Sequence, residues 1–353
     1  MKIRLLVLFV AAALAACGGG NGDGGSPSVH RFQVVSFGDS LSDVGTYQVA
    51  GRPPVGPLAF DGGRYTTNPG AVWTELVARY YGDVLQPAAR GGFGQPTVAL
   101  GGMGYAQGGA WVASPPDDDK EGGASATPVS GQIDAFLARY RTFDSRQLVL
   151  LQGGSNDIMN AVLAAADHRI PAEMVPVIVT AGAVDLARQV GRLTQAGAAR
   201  LLLANVPDIG LTPLAIAHPE VAASLTQMSQ LFNDTLASEI SRQPKPPHFV
   251  FADTQRWFRE MLSTYKVLGF RVSNTATACS TPKIVARARA IGLQDLETFL
   301  RQNGSSLLCS AATLTEPDAD QRYMFADELH PSTRLHELYA QFIQREIDSK
   351  GIQ

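Results

Sequence analysis

The stretch QVVSFGDSLSDVG, Gln33 to Gly45, decides how this chain is read. Gln33-Val34-Val35-Ser36-Phe37 is a short apolar run rich in β-branched residues, the pattern of a buried strand. Gly38-Asp39-Ser40 follows at once, so a serine stands between Asp39 and Leu41 where the strand stops. A solvent-facing turn would account for it. A nucleophile held at a strand end would account for it equally, if the chain also supplies a base, a group to orient that base, and donors for an oxyanion.

Working outward, three more runs have the same character: Gln147 to Leu151, Arg200 to Asn205 and His248 to Ala252. Helical spacing alternates with them over Gly70 to Tyr81, Ile133 to Tyr140, Pro171 to Ala196, Pro219 to Ser241 and Thr254 to Leu268. A last helix starts near Ser332 or Thr333 and buries Leu335, Leu338, Tyr339, Phe342 and Ile343. Strands alternating with helices predict an α/β fold whose parallel sheet is covered on both faces. Ligands then bind beyond the carboxyl ends of the strands, where Ser40 falls. Gly51 to Pro69 and Gly82 to Gly131 are Gly/Pro-rich and too long for simple connections, which makes them candidate walls of a site. Thr275 to Glu316 reads as a helical insertion.

The 353 residues are 45% hydrophobic and 17% charged, with net charge −3, an ordinary globular balance. No long basic block is present, so binding to a nucleic-acid backbone has little electrostatic support. Asp117-Asp118-Asp119-Lys120-Glu121 lies among Pro and Gly and reads as a solvated loop. There is no GxSxG, GxGxxG or P-loop. His336-Glu337 begins like HExxH, but Ala340 replaces the second histidine, so no metal or cofactor is expected.

Met1-Lys2-Ile3-Arg4 is basic and Leu5 to Ala16 is apolar, which makes residues 1–16 a secretory signal peptide. Leu14-Ala15-Ala16-Cys17-Gly18 resembles a bacterial lipobox, which implies cleavage before Cys17 and lipidation of that cysteine; ordinary secretion is the alternative. Residues 17–29 then form a flexible tether with a reach on the order of 20 Å. The expected protein is an exported bacterial lipoprotein, held in the outer membrane or cell envelope and facing periplasm or exterior. No later segment reads as apolar enough to span a bilayer. In an oxidising compartment Cys279 and Cys309 can form a disulfide that stabilises the fold by roughly 3.5 kcal/mol; two buried thiols are the alternative.

Among six histidines, His330 stands out. It lies in YMFADELHPS, Tyr323 to Ser332, with Asp327 three residues earlier and Pro331 stiffening the exit. A carboxylate so close can accept the Nδ1 proton, leaving Nε2 to take a serine proton. Alternatively, both residues only decorate a helix N-terminus. Gly153-Gly154-Ser155-Asn156-Asp157 follows the Gln147 strand, and Asn156 offers an uncharged side-chain donor or a helix N-cap. Gly104-Tyr105-Ala106-Gln107-Gly108-Gly109-Ala110 offers unshielded backbone N–H groups, or plain loop flexibility.

The ordered blocks GDSLSDVG, GYAQGGA, GSND and DELHPS, running from Gly38 to Ser332, resemble the GDSL/SGNH hydrolase family. GGRYTTN (Gly62 to Asn68) and NVPDIG (Asn205 to Gly210) resemble its branch of bacterial lipolytic enzymes and plant GDSL esterases. The resemblance implies a flavodoxin-like three-layer α/β/α sandwich, with residues 30–353 as one domain carrying insertions at 51–69, 82–131 and 275–316. It implies Ser40 as nucleophile, His330 as general base and acid, and Asp327 as orienter. The oxyanion would meet the N–H groups of Ser40 and Gly109 and the amide of Asn156; the choice of Gly109 over Gly108 comes from the family pattern alone. Gly104 and Thr46 depart from that pattern, each standing where many relatives have Asn. Asp39 and Asp43 read as structural, holding the nucleophile turn. The implied activity is hydrolysis of carboxylic esters, of an acyl lipid or a short-chain ester, through an acyl-enzyme. Carbohydrate O-deacetylation, acyl transfer and a noncatalytic envelope lipoprotein are the alternatives.

Overall fold

The computed structural model describes residues 32–48, 61–92, 95–113, 126–290 and 305–352. The signal peptide, Cys17, the tether, the acidic run at 117–121 and parts of the three insertions lie outside the described residues.

The four apolar runs are strands β1 (Gln33–Phe37), β4 (Gln147–Gln152), β5 (Arg200–Ala204) and β6 (His248–Ala252). They form one parallel sheet in the order β1-β4-β5-β6, with Val35 opposite Val149, Leu150 opposite Leu202 and Leu202 opposite Val250. Alternate side chains point to opposite faces of a strand, so the sheet feeds two cores. Val35, Phe37, Val149, Leu151, Leu201 and Leu203 pack against α2 (Val129–Tyr140), α3 (Ser155–Ala166), α4 (Met174–Gln195) and α6 (Pro219–Arg242). Val34, Leu148, Leu150, Leu202 and Val250 pack against α1 (Trp73–Tyr80), α7 (Thr254–Thr264) and α10 (Thr333–Ser349). The result is the expected α/β/α sandwich. Because helices cover both faces, the strands are apolar throughout rather than alternating.

The elements differ from the sequence reading mainly at their ends. Helix α1 starts at Trp73 because the Glu75 carboxylate accepts the Val72 N–H, which sets the first turn. Helix α3 starts at Ser155 rather than near Ile158; its N-cap is Gly154, so Asn156 lies inside the first turn and is not a cap. The 82–131 segment contains an antiparallel hairpin, β2 (Ala89–Gly92) with β3 (Gln95–Ala99), and the start of α2. Two short helices, α5 (Pro213–Ala217) and α9 (Ala319–Arg322), were also not anticipated.

One expectation is overturned. Helix α4 is long and apolar enough, by length and hydropathy, to cross a membrane. Its composition has a different cause: Val179, Ala183, Leu186 and Val190 are buried in the first core. A helix packed against a sheet on one side and other helices on its flanks needs a wide apolar face.

The 275–316 segment contains α8 (Thr281–Ala290), and a disulfide joins Cys279 to Cys309.

Candidate active site

The Ser40 turn is held from several directions. After β1 ends, Ser40–Ser42 form a single 3₁₀ turn whose N-cap is Asp39, its Oδ1 accepting the Leu41 N–H at 3.1 Å. Asp43 Oδ1 accepts the N–H groups of Gly45 (2.9 Å) and Thr46 (2.7 Å), while Oδ2 accepts that of Gly108 (3.0 Å). One carboxylate therefore ties the Ser40 turn to the glycine loop at 104–110. The Gln132 side chain brackets Gly38, accepting its N–H and donating to its carbonyl. Burial pushes the Asp39 and Asp43 carboxyls up to about 6, against the opposing pull of these N–H donors.

The glycine loop runs beside the edge of β1. Ser36 N–H donates to Met103, Tyr105 N–H to Ser36, and Gln107 N–H to Gly38. The rings of Phe37, Tyr105 and Phe136 pack at centroid distances of 5.4 to 5.9 Å, fixing the strand end and the loop against α2. The two departures from the family pattern have physical counterparts. A side chain at Gly104 would place its Cβ 2.5 Å from the Val44 side chain and 3.1 Å from the Gln86 carbonyl oxygen, so any larger residue requires these neighbours to shift. Thr46 Oγ1 donates to the Ala106 carbonyl at 3.0 Å, a second tie between the turn and the loop.

Gly108 and Gly109 differ in what their N–H groups do. Gly108 N–H is taken by Asp43. Gly109, at φ 82°, adopts a left-handed conformation that favours glycine, and its N–H meets no protein acceptor among the described residues. The Ser40 N–H likewise meets no protein acceptor among the described residues. Asn156, 9% exposed, donates through Nδ2 to the Ala110 carbonyl at 2.9 Å, which leaves its second amide hydrogen available.

His330 and Asp327 lie on the loop before α10, closed by a bond from Ala326 N–H to the His330 carbonyl. Asp327 Oδ1 accepts the N–H groups of Leu329 (3.0 Å) and His330 (2.8 Å) and faces His330 Nδ1 at 2.8 Å. Its Oδ2 accepts the Ser306 N–H at 2.9 Å. On the other side of the ring, Nε2 is 2.9 Å from Ser40 Oγ, across 290 residues of chain. Burial alone would raise the Asp327 carboxyl, but His330 and the donated hydrogen bonds outweigh it and hold the group well below the usual range. Neither residue caps α10; that role falls to Ser332, whose hydroxyl accepts the Leu335 N–H. The alternative of a decorated helix N-terminus is therefore not what the structure adopts. Chemically, a hydroxyl facing the free nitrogen of a carboxylate-oriented imidazole can lose its proton as it attacks an electrophile.

Ser40, Gly109, Asn156, Asp327 and His330 all line one cavity of about 1270 Å³. Its lining also includes Met159, Leu163 and Ala166 of α3, together with Pro207, Ile209 and Leu214. Several supporting residues were not singled out from sequence. Tyr65 packs its ring on His330 at 4.8 Å between centroids. Gln132 and Ser306 reach the site from distant segments that carry no local pattern. Asp157, beside Asn156, accepts the Val112 N–H and is pushed up to about 7 by burial. His336 is driven down to about 3 by burial, stays neutral, and accepts the Trp73 N–H; it supports α1. Among the described residues no three His, Cys, Asp or Glu side chains converge as metal ligands.

The GDSL-like Lipase/Acylhydrolase family model matches residues 34–343. A GDSL esterase/lipase of Arabidopsis thaliana is 25% identical over 349 residues, covering 86% of this chain and 84% of its own. A phosphatidylcholine-sterol acyltransferase of Aeromonas hydrophila is 27% identical over 328 residues, covering 86% of each chain. A second Arabidopsis esterase/lipase is 26% identical over 276 residues, with 69% and 73% covered.

Proposed function

The chain belongs to the GDSL-like lipase/acylhydrolase family, and on that premise we propose that it is a serine esterase acting on acyl esters through Ser40, His330 and Asp327. The observation that carries this reading is the continuous contact from Ser40 Oγ to His330 Nε2 at 2.9 Å and from His330 Nδ1 to Asp327 at 2.8 Å. Ser40 Oγ attacks the ester carbonyl while its proton passes to His330 Nε2. The carbonyl oxygen, now negative, is met by the N–H groups of Ser40 and Gly109 and by the Asn156 amide. These donors are fixed before reaction, so they need no rearrangement as charge develops. When the tetrahedral species collapses, His330 returns the proton to the departing alcohol oxygen, leaving an acyl-Ser40. Water then attacks that ester and gives its proton to His330; as the tetrahedral species collapses, the bond to Oγ breaks, His330 returns the proton to Ser40 Oγ, and the carboxylic acid leaves.

The shape of the cavity favours an acyl chain of medium length or longer. Met159, Leu163 and Ala166 follow Asn156 on one helical face. At 1.5 Å per residue the wall runs about 15 Å from Asn156 to Ala166. A zigzag chain of roughly ten to twelve carbons, with bonds of about 1.5 Å, fits that length. The lipobox-like segment at Cys17 supports an enzyme held at the cell envelope, near its lipid substrates.

A second reading is acyl transfer, with an alcohol replacing water in the second step. The observation favouring it is the similarity to the Aeromonas acyltransferase. Both readings are tested by initial rates of the purified protein and Ser40→Ala on p-nitrophenyl acetate, butyrate, octanoate and palmitate, with and without an added long-chain alcohol. Hydrolysis dependent on Ser40 and rising from acetate to octanoate is expected. Equal rates for the two proteins would refute the serine esterase. Ester product formed in preference to free acid would make it a transferase.

A further inference from the structure

We infer that Ser306 is a positioning residue of the Asp327–His330 pair, working from a segment that the Cys279–Cys309 disulfide clamps in place. The inference rests on the serine-esterase reading for its kinetic consequences, though not for its geometry.

Asp327 has backbone donors of two origins. Leu329 and His330 belong to its own turn, and both address Oδ1. These local bonds move with the loop and cannot fix it relative to the rest of the molecule. The Ser306 N–H, 21 residues away in sequence, addresses Oδ2 at 2.9 Å and is the one backbone donor from outside that turn among the described residues. The same residue contributes its hydroxyl, which lies 3.2 Å from His330 Nδ1, the nitrogen Asp327 orients, and helps hold the Asp327 carboxyl low. Ser306 is fully buried, so no solvent competes for either group.

Ser306 is itself held on three sides. Its carbonyl accepts Asn68 Nδ2 at 2.9 Å. The next carbonyl, of Leu307, accepts the Gly63 N–H, and the Leu307 side chain packs with Tyr47 and Tyr65, the ring against His330. Cys309, three residues on, is bonded to Cys279, whose N–H donates to Ala326, the residue before Asp327. The disulfide thus ties together the two segments that meet at the Ser306–Asp327 contact. A hydroxyl and an N–H delivered to both members of the pair, from a cross-linked segment, are suited to keeping the imidazole aimed at Ser40 through both half-reactions.

The test is Ser306→Ala, read by two independent measurements. Alanine is smaller than serine and is expected to fold; circular dichroism at the assay temperature checks this, and Ser306→Gly gives a second variant without the hydroxyl. The first readout is the downfield proton resonance of His330 Nδ1–H in ¹⁵N-labelled protein, expected to shift or broaden in both variants and to vanish in His330→Ala. The second is kinetic: kcat is expected to fall about tenfold with KM within twofold, and the further loss on adding Ser306→Ala to Asp327→Ala to stay below twofold. An unmoved resonance would overturn the inference. So would an equal tenfold loss in the Asp327→Ala background, which would mean that Ser306 acts through something other than this pair. If the wild type shows no Ser40-dependent hydrolysis, the esterase reading fails and the resonance alone decides the role of Ser306.

Discussion

Asp327→Asn separates the orienting role of this residue from its charge. In the native site Oδ1 accepts the Leu329 and His330 N–H groups and faces Nδ1, whereas Oδ2 accepts the Ser306 N–H. An asparagine keeps most of these bonds by placing its carbonyl oxygen at Oδ1 and its NH₂ at Oδ2. His330 Nδ1 lies 2.8 Å from Oδ1 and 2.9 Å from Oδ2, so Nδ1–H then keeps an acceptor at Oδ1 but meets the asparagine NH₂ as a second donor at Oδ2. In the proposed mechanism, what disappears is the negative charge that stabilises the imidazolium formed in the transition state. Unit charges about 4 Å apart at an effective dielectric of about 20 interact by about 4 kcal/mol, equivalent to roughly a 10³-fold loss in kcat. Asp327→Ala removes the acceptor as well, releases the tautomer, and should lose roughly 10⁴-fold or more, as removal of the orienting aspartate does in a serine protease. The asparagine NH₂ also confronts the Ser306 N–H, and one buried unpaired donor destabilises by about 1–3 kcal/mol. Initial rates on p-nitrophenyl butyrate, with calorimetric melting of each variant, measure both effects. If the two variants lose the same activity within threefold, the tautomer reasoning is wrong. If Asp327→Asn stays within tenfold of wild type, the charge reasoning is wrong.

Other perturbations address the cavity and the fold. Leu163→Trp fills the middle of the α3 wall and should lower octanoate and palmitate hydrolysis at least tenfold while leaving butyrate within twofold; a uniform loss would place the acyl chain elsewhere. Asp157 carries a carboxyl raised from 3.8 to about 7 by burial. Its stabilising contribution is therefore full below pH about 4 and is lost as pH rises through about 7. Asp157→Asn removes that titration, so its stability relative to wild type should improve between pH 5 and pH 8 by up to roughly 3 kcal/mol. Urea melts at the two pH values check it, and a pH-independent difference would contradict the buried-carboxylate account. The paired change Cys279→Ser with Cys309→Ser should lower stability by roughly 3.5 kcal/mol. It should also reduce kcat more than KM, because the Ser306 segment loses its clamp; unchanged kcat with lowered melting would confine the bond to a stability role.

Much of this protein was legible from residue order. Val34, Val35 and Phe37 announce a strand because an apolar run of that length buries on both faces of a covered sheet, and the helices betray themselves by apolar spacing. The serine, the histidine with an aspartate three residues before it, and the asparagine after the Gln147 strand could be chosen because their chemistry needs those types near strand ends. The choice of Gly109 over Gly108 came only from family resemblance. In the fold Asp43 accepts the Gly108 N–H, whereas that of Gly109 meets no acceptor among the described residues.

What the sequence determined by itself is therefore local and periodic: strands, helix faces, and side chains whose partners are a few residues away, such as Asp327 and His330. What only the tertiary structure decided is non-local. Ser40 meets His330 across 290 residues, Ser306 reaches Asp327 across 21, and Gln132 grips Gly38 across 94. Helix α4 looks membrane-like in composition and proves to be a core helix, because hydropathy does not say whether the apolar face meets lipid or protein. Contacts of that kind leave no period or motif in the chain, since any residue can become a neighbour once the sheet has closed and the two cores have formed around it.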